Sequence, residues 1–167
     1  LFEKIENVGV ELDALVCVAA DLGRWMDPLT VDPQAWVNVL HTNVVGYFMP
    51  ARATVQQMLR TGKAKGGTIV FIGSINYESA LPERSAYVAS KGAISSMTKA
   101  LAIDFGKYGV RVNCLAPGAI WTDRYDELDS GEVDRRRESI PLKEFSTTEN
   151  MGKNVYYLAT DMSHPMT

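Results

Sequence analysis

Three side chains able to hold or move a proton fall within one short stretch of the chain. Ser74 follows the run Thr68-Ile69-Val70-Phe71-Ile72-Gly73, and Tyr87 and Lys91 lie four residues apart at the start of a long helical pattern. On a helix that spacing puts the phenol and the ammonium on one face, a single turn apart. A free tyrosine ionises near pH 10, so at neutrality it is a poor base. A nearby positive charge favours the phenolate while burial alone opposes it, so a lysine beside the tyrosine makes acid–base chemistry accessible. A serine hydroxyl can hold a carbonyl or alcohol oxygen within reach of that proton. A Tyr-x-x-x-Lys pair alone describes many solvated helix faces, but a serine at a strand end upstream is a much rarer addition.

Three apolar runs must supply the strands that position these groups. Residues 13 to 18 suit a strand covered on both faces, residues 68 to 73 form a second, and residues 110 to 116 a third, closed by Pro117-Gly118. Asp32 as cap and Pro33 in the first turn open a helix expected to reach about Met58 to Leu59. Within it Asn43, Gly46 and Pro50 are poor helix formers, and a local misfit of this kind often marks a kinked or functional position. A second helix is expected over Ser85 to Gly106, with Ile94, Met97, Leu101 and Phe105 facing the sheet. A short charged helix follows over Glu132 to Glu138. A last helix, capped by Ser146 or Thr147, carries Met151, Val155 and Leu158 on one face. Thr61 to Gly67 is glycine-rich, but it follows a helix and opens a strand, the wrong context for a phosphate loop. Alternation of strand and helix predicts an α/β, doubly wound parallel sheet with helices on both faces. In such sheets ligands bind at the carboxyl ends of the strands, which here are Ala19-Ala20, Ser74 and Pro117-Gly118.

Composition narrows the field. With 167 residues, 46% of them hydrophobic, the chain is about one domain long. A net charge of −3 with the signs interspersed argues against a nucleic-acid surface or an anionic membrane. Arg135-Arg136-Arg137 is best explained as a solvated helix face. No apolar run reaches the ~20 residues of a membrane span, and no signal-peptide pattern is present, so a cytoplasmic protein is expected. Cys17 and Cys114 sit in apolar runs and are expected as buried, reduced thiols. His41 and His164 have no metal-ligand spacing, so no metal is expected.

With these residues in place the chain resembles the short-chain dehydrogenase/reductase family over nearly its whole length. Ser74, Tyr87 and Lys91 match the family's Ser…Tyr-x-x-x-Lys pattern, and Asn43 in Asn43-Val44-Val45-Gly46 matches its fourth catalytic residue, an asparagine at a helix kink. The segment from Val112 to Asp123 matches the family's nicotinamide-side loop. The resemblance implies a Rossmann-like fold and NAD or NADP as cofactor. The implied reaction is reversible hydride transfer with a small-molecule carbonyl or secondary alcohol. Tyr87 would exchange the proton, Lys91 would bond the nicotinamide ribose and lower the tyrosine pKa, Ser74 would orient the substrate oxygen, and Asn43 would hold a water linking Lys91 to solvent. Ala19, Ala20, Tyr87, Lys91, Pro117, Gly118, Ile120 and Thr122 would line the cofactor, and Ala80, Leu81, Trp121 and Tyr125 the substrate. Packing of the flap against the sheet is the competing role for Trp121 and Tyr125. Small residues on the two long helices, including Ala86, Ala89, Gly92 and Ala93, suit a homodimer or homotetramer joined by a four-helix interface.

Two departures from the family pattern qualify this. Its Asn-Asn-Ala-Gly segment is here Cys17-Val18-Ala19-Ala20, which removes polar ties and predicts looser support on the cofactor side. The glycine-rich first turn is not in the sequence, so residues 1 to 167 are expected to be a single Rossmann-type domain fragment. It would lack the N-terminal dinucleotide-binding half, some 60 to 80 residues at about 30 per βαβ unit, and the last strand. NAD and NADP cannot then be distinguished, and the rival is a non-catalytic nucleotide sensor or scaffold of the same fold.

Overall fold

The central strand is Thr68-Ile69-Val70-Phe71-Ile72, where four of five side chains are shut away from water and both edges are hydrogen-bonded. The computed structural model of the protein describes residues 2–23, 26–126 and 128–167. In it β1 (Ala14–Cys17), β2 (Thr68–Ile72) and β3 (Arg111–Leu115) form a parallel sheet in the order β1-β2-β3. Cys17 pairs with Phe71 and Phe71 with Cys114, so the three strands finish together at one edge. Burial is continuous in β2 but not in β1, where only Cys17 is buried. The coverage on both faces expected for this strand is thus reached only at its end: Ala14 is exposed and Leu15 and Val16 are half-buried.

Alternation along β2 separates two layers. Ile69 and Phe71 join Tyr47, Ala51, Val55, Met58, Ile94 and Leu101 in one core. Full burial of each large apolar side chain there stabilises the fold by about 1.5–3 kcal/mol. On the other side Thr68 Oγ1 donates to Leu158 O at 3.3 Å, joining the sheet to α7 (Thr148–Ala159). Thr147 caps α7 by accepting from Asn150 N at 3.1 Å.

A short helix, α1 (Phe2–Asn7), precedes β1, and the later helices follow the sequence closely. Asp32 caps α2 (Pro33–Leu40), its carboxylate accepting from Gln34 N at 3.0 Å. The chain continues through a π-helical segment, His41–Val45, into α3 (Gly46–Thr61). Gly62 ends α3 with φ +76°, a left-handed cap that suits glycine, and returns its N–H to Met58 O. A four-residue helix, α4 (Asn76–Ser79), separates β2 from α5 (Ser85–Gly106). In α5, Ile94 and Leu101 are buried against the sheet, while Met97 and Phe105 are partly buried beside them. Helix α6 (Ser130–Ser139) is capped by Asp129 and precedes α7. At the start of β3 the buried Arg111 donates to Ser163 Oγ at 2.8 Å, Thr160 O at 2.9 Å, Met166 O at 3.2 Å and Leu158 O at 3.4 Å. Its charge thus sits at the negative end of α7. Cys17 and Cys114 are free thiols, Cys17 buried and Cys114 partly so. Among the described residues no helix is long and apolar enough to cross a membrane.

Candidate active site

The site is built outward from the end of β2. A Cβ on Gly73 would stand 2.7 Å from Cys114 Sγ, so glycine there lets the loop pass close over β3. Gly73 N donates to Leu115 O at 2.7 Å and Ile75 N to Pro117 O at 3.1 Å, which extends the pairing with β3 beyond both strands. Ser74 is held between these two bonds. Its Oγ accepts from Asn76 N at 3.2 Å, turning the chain into α4 and leaving the hydroxyl hydrogen to be donated elsewhere.

Tyr87 and Lys91 reach the same strand end from the first turns of α5. Lys91 is 2% exposed, and its ammonium donates to Ile72 O at 2.8 Å. It stands 5.6 Å from the centroid of the Tyr87 ring and 5.7 Å from that of Tyr47. Burial pushes the Lys91 pKa down to about 8, with the nearby Cys114 thiol acting in the opposite direction. Burial also raises Cys114 and Tyr47, and pushes Cys17 up to about 11. These four therefore keep their protons at neutral pH, and Lys91 is the cation at the centre of the site.

Asn43 lies in the π-helical turn and is fully buried. Its Oδ1 accepts from Asp21 N at 2.7 Å, and its Nδ2 donates to Asp21 O at 2.8 Å and to Ser90 Oγ at 2.9 Å. Ser90 Oγ in turn donates to Tyr87 O at 2.7 Å. One side chain thereby joins the loop after β1 to the turn of α5 that carries Tyr87. The same loop is held again by Asp21 Oδ1, accepting from Gly23 N at 2.9 Å, and by Arg84 donating to Leu22 O at 3.0 Å. The loop after β1 is thus tied down by residues that follow Cys17-Val18-Ala19-Ala20, the segment expected to be loosely supported.

Ala19 and Ala20 follow β1 and are exposed; Pro117 and Gly118 follow β3 at the same edge. Ile120 bridges to Ser146, which closes the base of the flap between them. The residues expected to line substrate fall into two groups. Ala80 and Leu81 border an apolar groove of about 410 Å³ with Met26, Pro28, Val88 and Ala89. Trp121 and Tyr125 instead stack on each other at 5.3 Å, and Phe145 meets the Tyr125 ring edge-on at 4.9 Å. Packing within the flap engages both aromatics, and Trp121 stays partly exposed. Thr122 lies between them, half-buried.

A sequence profile described as Enoyl-(Acyl carrier protein) reductase matches residues 1–167. The chain belongs to the short-chain dehydrogenase/reductase family. It is 35% identical over 169 residues to the uncharacterized oxidoreductase YgfF of Escherichia coli (strain K12), covering 100% of this chain and 68% of that protein. Among solved structures it is similar to a 4-hydroxyisoleucine dehydrogenase mutant complexed with NADH and succinate. That match has a TM-score of 0.88 and 28% identity, over 99% of this chain and 68% of the other. It is also similar to a gluconate 5-dehydrogenase from Burkholderia cenocepacia J2315 in complex with NADP and tartrate, with TM-score 0.87 and 27% identity over 97% and 63% of the two chains. The chain spans between 49% and 68% of the length of the first curated relatives it matches. Its mixed helix and parallel-sheet architecture is part of the Rossmann-type fold of these dehydrogenases.

Asp21, Tyr47 and Ser90 were not singled out by sequence. Ser90 precedes Lys91 directly and Tyr47 lies one turn beyond Asn43, but only the packing of α3 and α5 against β2 brings them to the site.

Proposed function

We propose that the protein is an NAD(P)-dependent oxidoreductase acting on a small-molecule carbonyl or secondary alcohol, with Tyr87 as its general acid and base. The observation that carries this is the Lys91 ammonium, buried on the Ile72 carbonyl and held beside the Tyr87 ring. When bound, the nicotinamide cofactor supplies or accepts the hydride. In the reducing direction Tyr87 gives its proton to the carbonyl oxygen; in the oxidising direction it takes the proton from the hydroxyl. Lys91 stabilises the negative charge that develops on the tyrosine oxygen, and its remaining N–H groups are donors for ribose hydroxyls. Ser74 donates to the substrate oxygen. The small exposed residues Ala19, Ala20 and Gly118 at the strand ends fit close approach by a dinucleotide, with Pro117, Ile120 and Thr122 along the nicotinamide side. Ala80, Leu81, Trp121 and Tyr125 are assigned to the substrate side.

Phe48, Met49 and Ile103 stand exposed on α3 and α5, which supports a homodimer or homotetramer joined through those helices. A cytoplasmic setting keeps the two thiols reduced. We further take residues 1–167 to be one part of a single Rossmann-type domain.

The test uses the full-length protein. Tyr87→Phe is expected to lower turnover with a panel of carbonyl compounds by orders of magnitude, followed by NAD(P)H absorbance, while cofactor affinity stays within a few-fold of wild type. Turnover at the wild-type rate would sink the assignment. Cofactor binding with no turnover by the unmodified protein on any carbonyl would favour a nucleotide sensor.

A further inference from the structure

Tyr47 is not part of the proton-transfer set, yet its place in the structure ties it to Lys91. It is 2% exposed and lies on α3, one turn beyond Asn43. One neighbour is the ring of Phe71 from β2, 5.5 Å away and tilted by 31°. Another is the Lys91 ammonium, which stands over the ring at 5.7 Å, inside the range of a cation–π contact. The Tyr47 hydroxyl points to the carbonyl that Lys91 also uses, with 3.4 Å to Ile72 O against 2.8 Å from Lys91 Nζ.

We propose that Tyr47 is the positioning residue for Lys91: its ring forms the floor on which the ammonium rests, and holds it charged and aimed at Tyr87. A lysine this deeply buried needs electron density around its N–H groups. Here that density comes from one carbonyl and two aromatic faces, Tyr47 below and Tyr87 beside it. The other titratable groups around this centre are Cys114 on β3, which acts on Lys91, and Cys17 on β1, which acts on Tyr47. Both are thiols that stay protonated at neutral pH, so neither replaces the ring as a partner for the cation. The 3.4 Å hydroxyl contact is too long to carry the effect; the face of the ring carries it. Phenylalanine at position 47 should therefore serve, and an aliphatic residue should not.

The function of this contact rests on the role given to Lys91 above, but the contact can be tested without any turnover. In full-length protein carrying 13C-labelled lysine, the Lys91 signal is assigned by its loss in Lys91→Arg and titrated by NMR. Tyr47→Phe should leave the midpoint within about 0.3 of wild type. Tyr47→Leu should lower it by about one unit, a tenfold shift in the protonation equilibrium. Where the leucine variant does not fold, phenylalanine analogues with increasing ring fluorination at position 47 replace it. They keep the shape while weakening the face of the ring, and the midpoint should fall stepwise. A midpoint unmoved by Leu or by fluorination overturns the proposal, as does an equal drop in Phe and Leu. If the protein also turns over, kcat/KM in Tyr47→Leu should fall about fivefold at pH 8 and recover as the pH is lowered, with Tyr47→Phe near wild type. A shifted titration without any turnover would leave Tyr47 as the floor of Lys91 and remove the catalytic role assigned to the pair.

Discussion

Asn43 grips Asp21 by both of its main-chain polar groups, accepting from the N–H at 2.7 Å and donating to the C=O at 2.8 Å. A two-point bond of this kind fixes the orientation of the peptide as well as its position, and it needs one acceptor and one donor on the same side chain. Asparagine supplies both, and its second amide hydrogen goes to Ser90.

Asn43→Asp is therefore expected to be no better tolerated than Asn43→Ala. The carboxylate keeps the acceptor but faces Asp21 O and Ser90 Oγ with a negative charge in place of a donor. Each substitution should lower the stability of the full-length protein by about 2–3 kcal/mol, read as the midpoint of urea unfolding. An aspartate variant as stable as wild type would show that the donor half of the bond contributes nothing.

Lys91 should be a residue that the fold would be more stable without. An unfolded lysine ionises at 10.5 and the folded one at about 8. Between those values the unfolded chain holds more of the proton, so stability rises with pH across that window. Below pH 8 the burial of the charge costs about 3 kcal/mol at most, and above 10.5 it costs nothing. Lys91→Met should accordingly raise the melting temperature of the cofactor-free protein at pH 7, lose most of that advantage by pH 10, and abolish turnover. A methionine variant less stable than wild type at pH 7 would place the Ile72 bond above the desolvation penalty.

Arg111 holds the chain after α7 through four acceptors on one planar group. Lysine cannot reach them together from a single point charge. Arg111→Lys should lower stability by about 2–3 kcal/mol and speed amide exchange in residues 158 to 167 well before the rest of the sheet opens. Exchange that stays uniform across the protein would argue against a local clamp.

Much of this was legible in the chain because the signals are local. Asp32-Pro33 states a helix start in two residues, and the structure caps α2 there. Asn43, Gly46 and Pro50 contradict a regular helix, and the ladder widens into a π turn at His41–Val45. Residues 68 to 73 read as a strand because apolar burial on both faces leaves no alternation to misjudge. The extent of burial in β1 was not legible, since it depends on which strand lies beside it. Asp21, Tyr47 and Ser90 were hidden for a related reason. Their partners stand 22, 44 and 47 residues away, at Asn43, Lys91 and Asn43, and no spacing rule reaches across a β-α-β crossover. Trp121 and Tyr125 show another limit: aromatic residues in a polar segment suit a ligand wall and flap packing equally, and only the structure shows them stacked on each other and against Phe145.

The flap offers a fourth test. Phe145 is buried at the junction of Trp121 and Tyr125, and Arg136 and Arg137 lie over the Tyr125 and Phe145 rings at 5.6 and 5.8 Å. Phe145→Ala should release these arginines and increase tryptic cleavage after residues 135 to 137, with only a small change in the unfolding midpoint of the whole protein. Cleavage at the wild-type rate would mean that the Ile120–Ser146 bridge holds the flap unaided.

A π turn is an α-helix with one residue inserted, and the helices on either side keep the phase they would have without it. Removing Val44 should therefore leave a straight helix in which Val39 before the deletion and Ala51 after it still face the core. The fold should tolerate the shorter register, and what should disappear is the bulge that carries Asn43 to Asp21. Length variation at this position would separate a protein that merely keeps the architecture from one that keeps the coupling between the β1 loop and Tyr87.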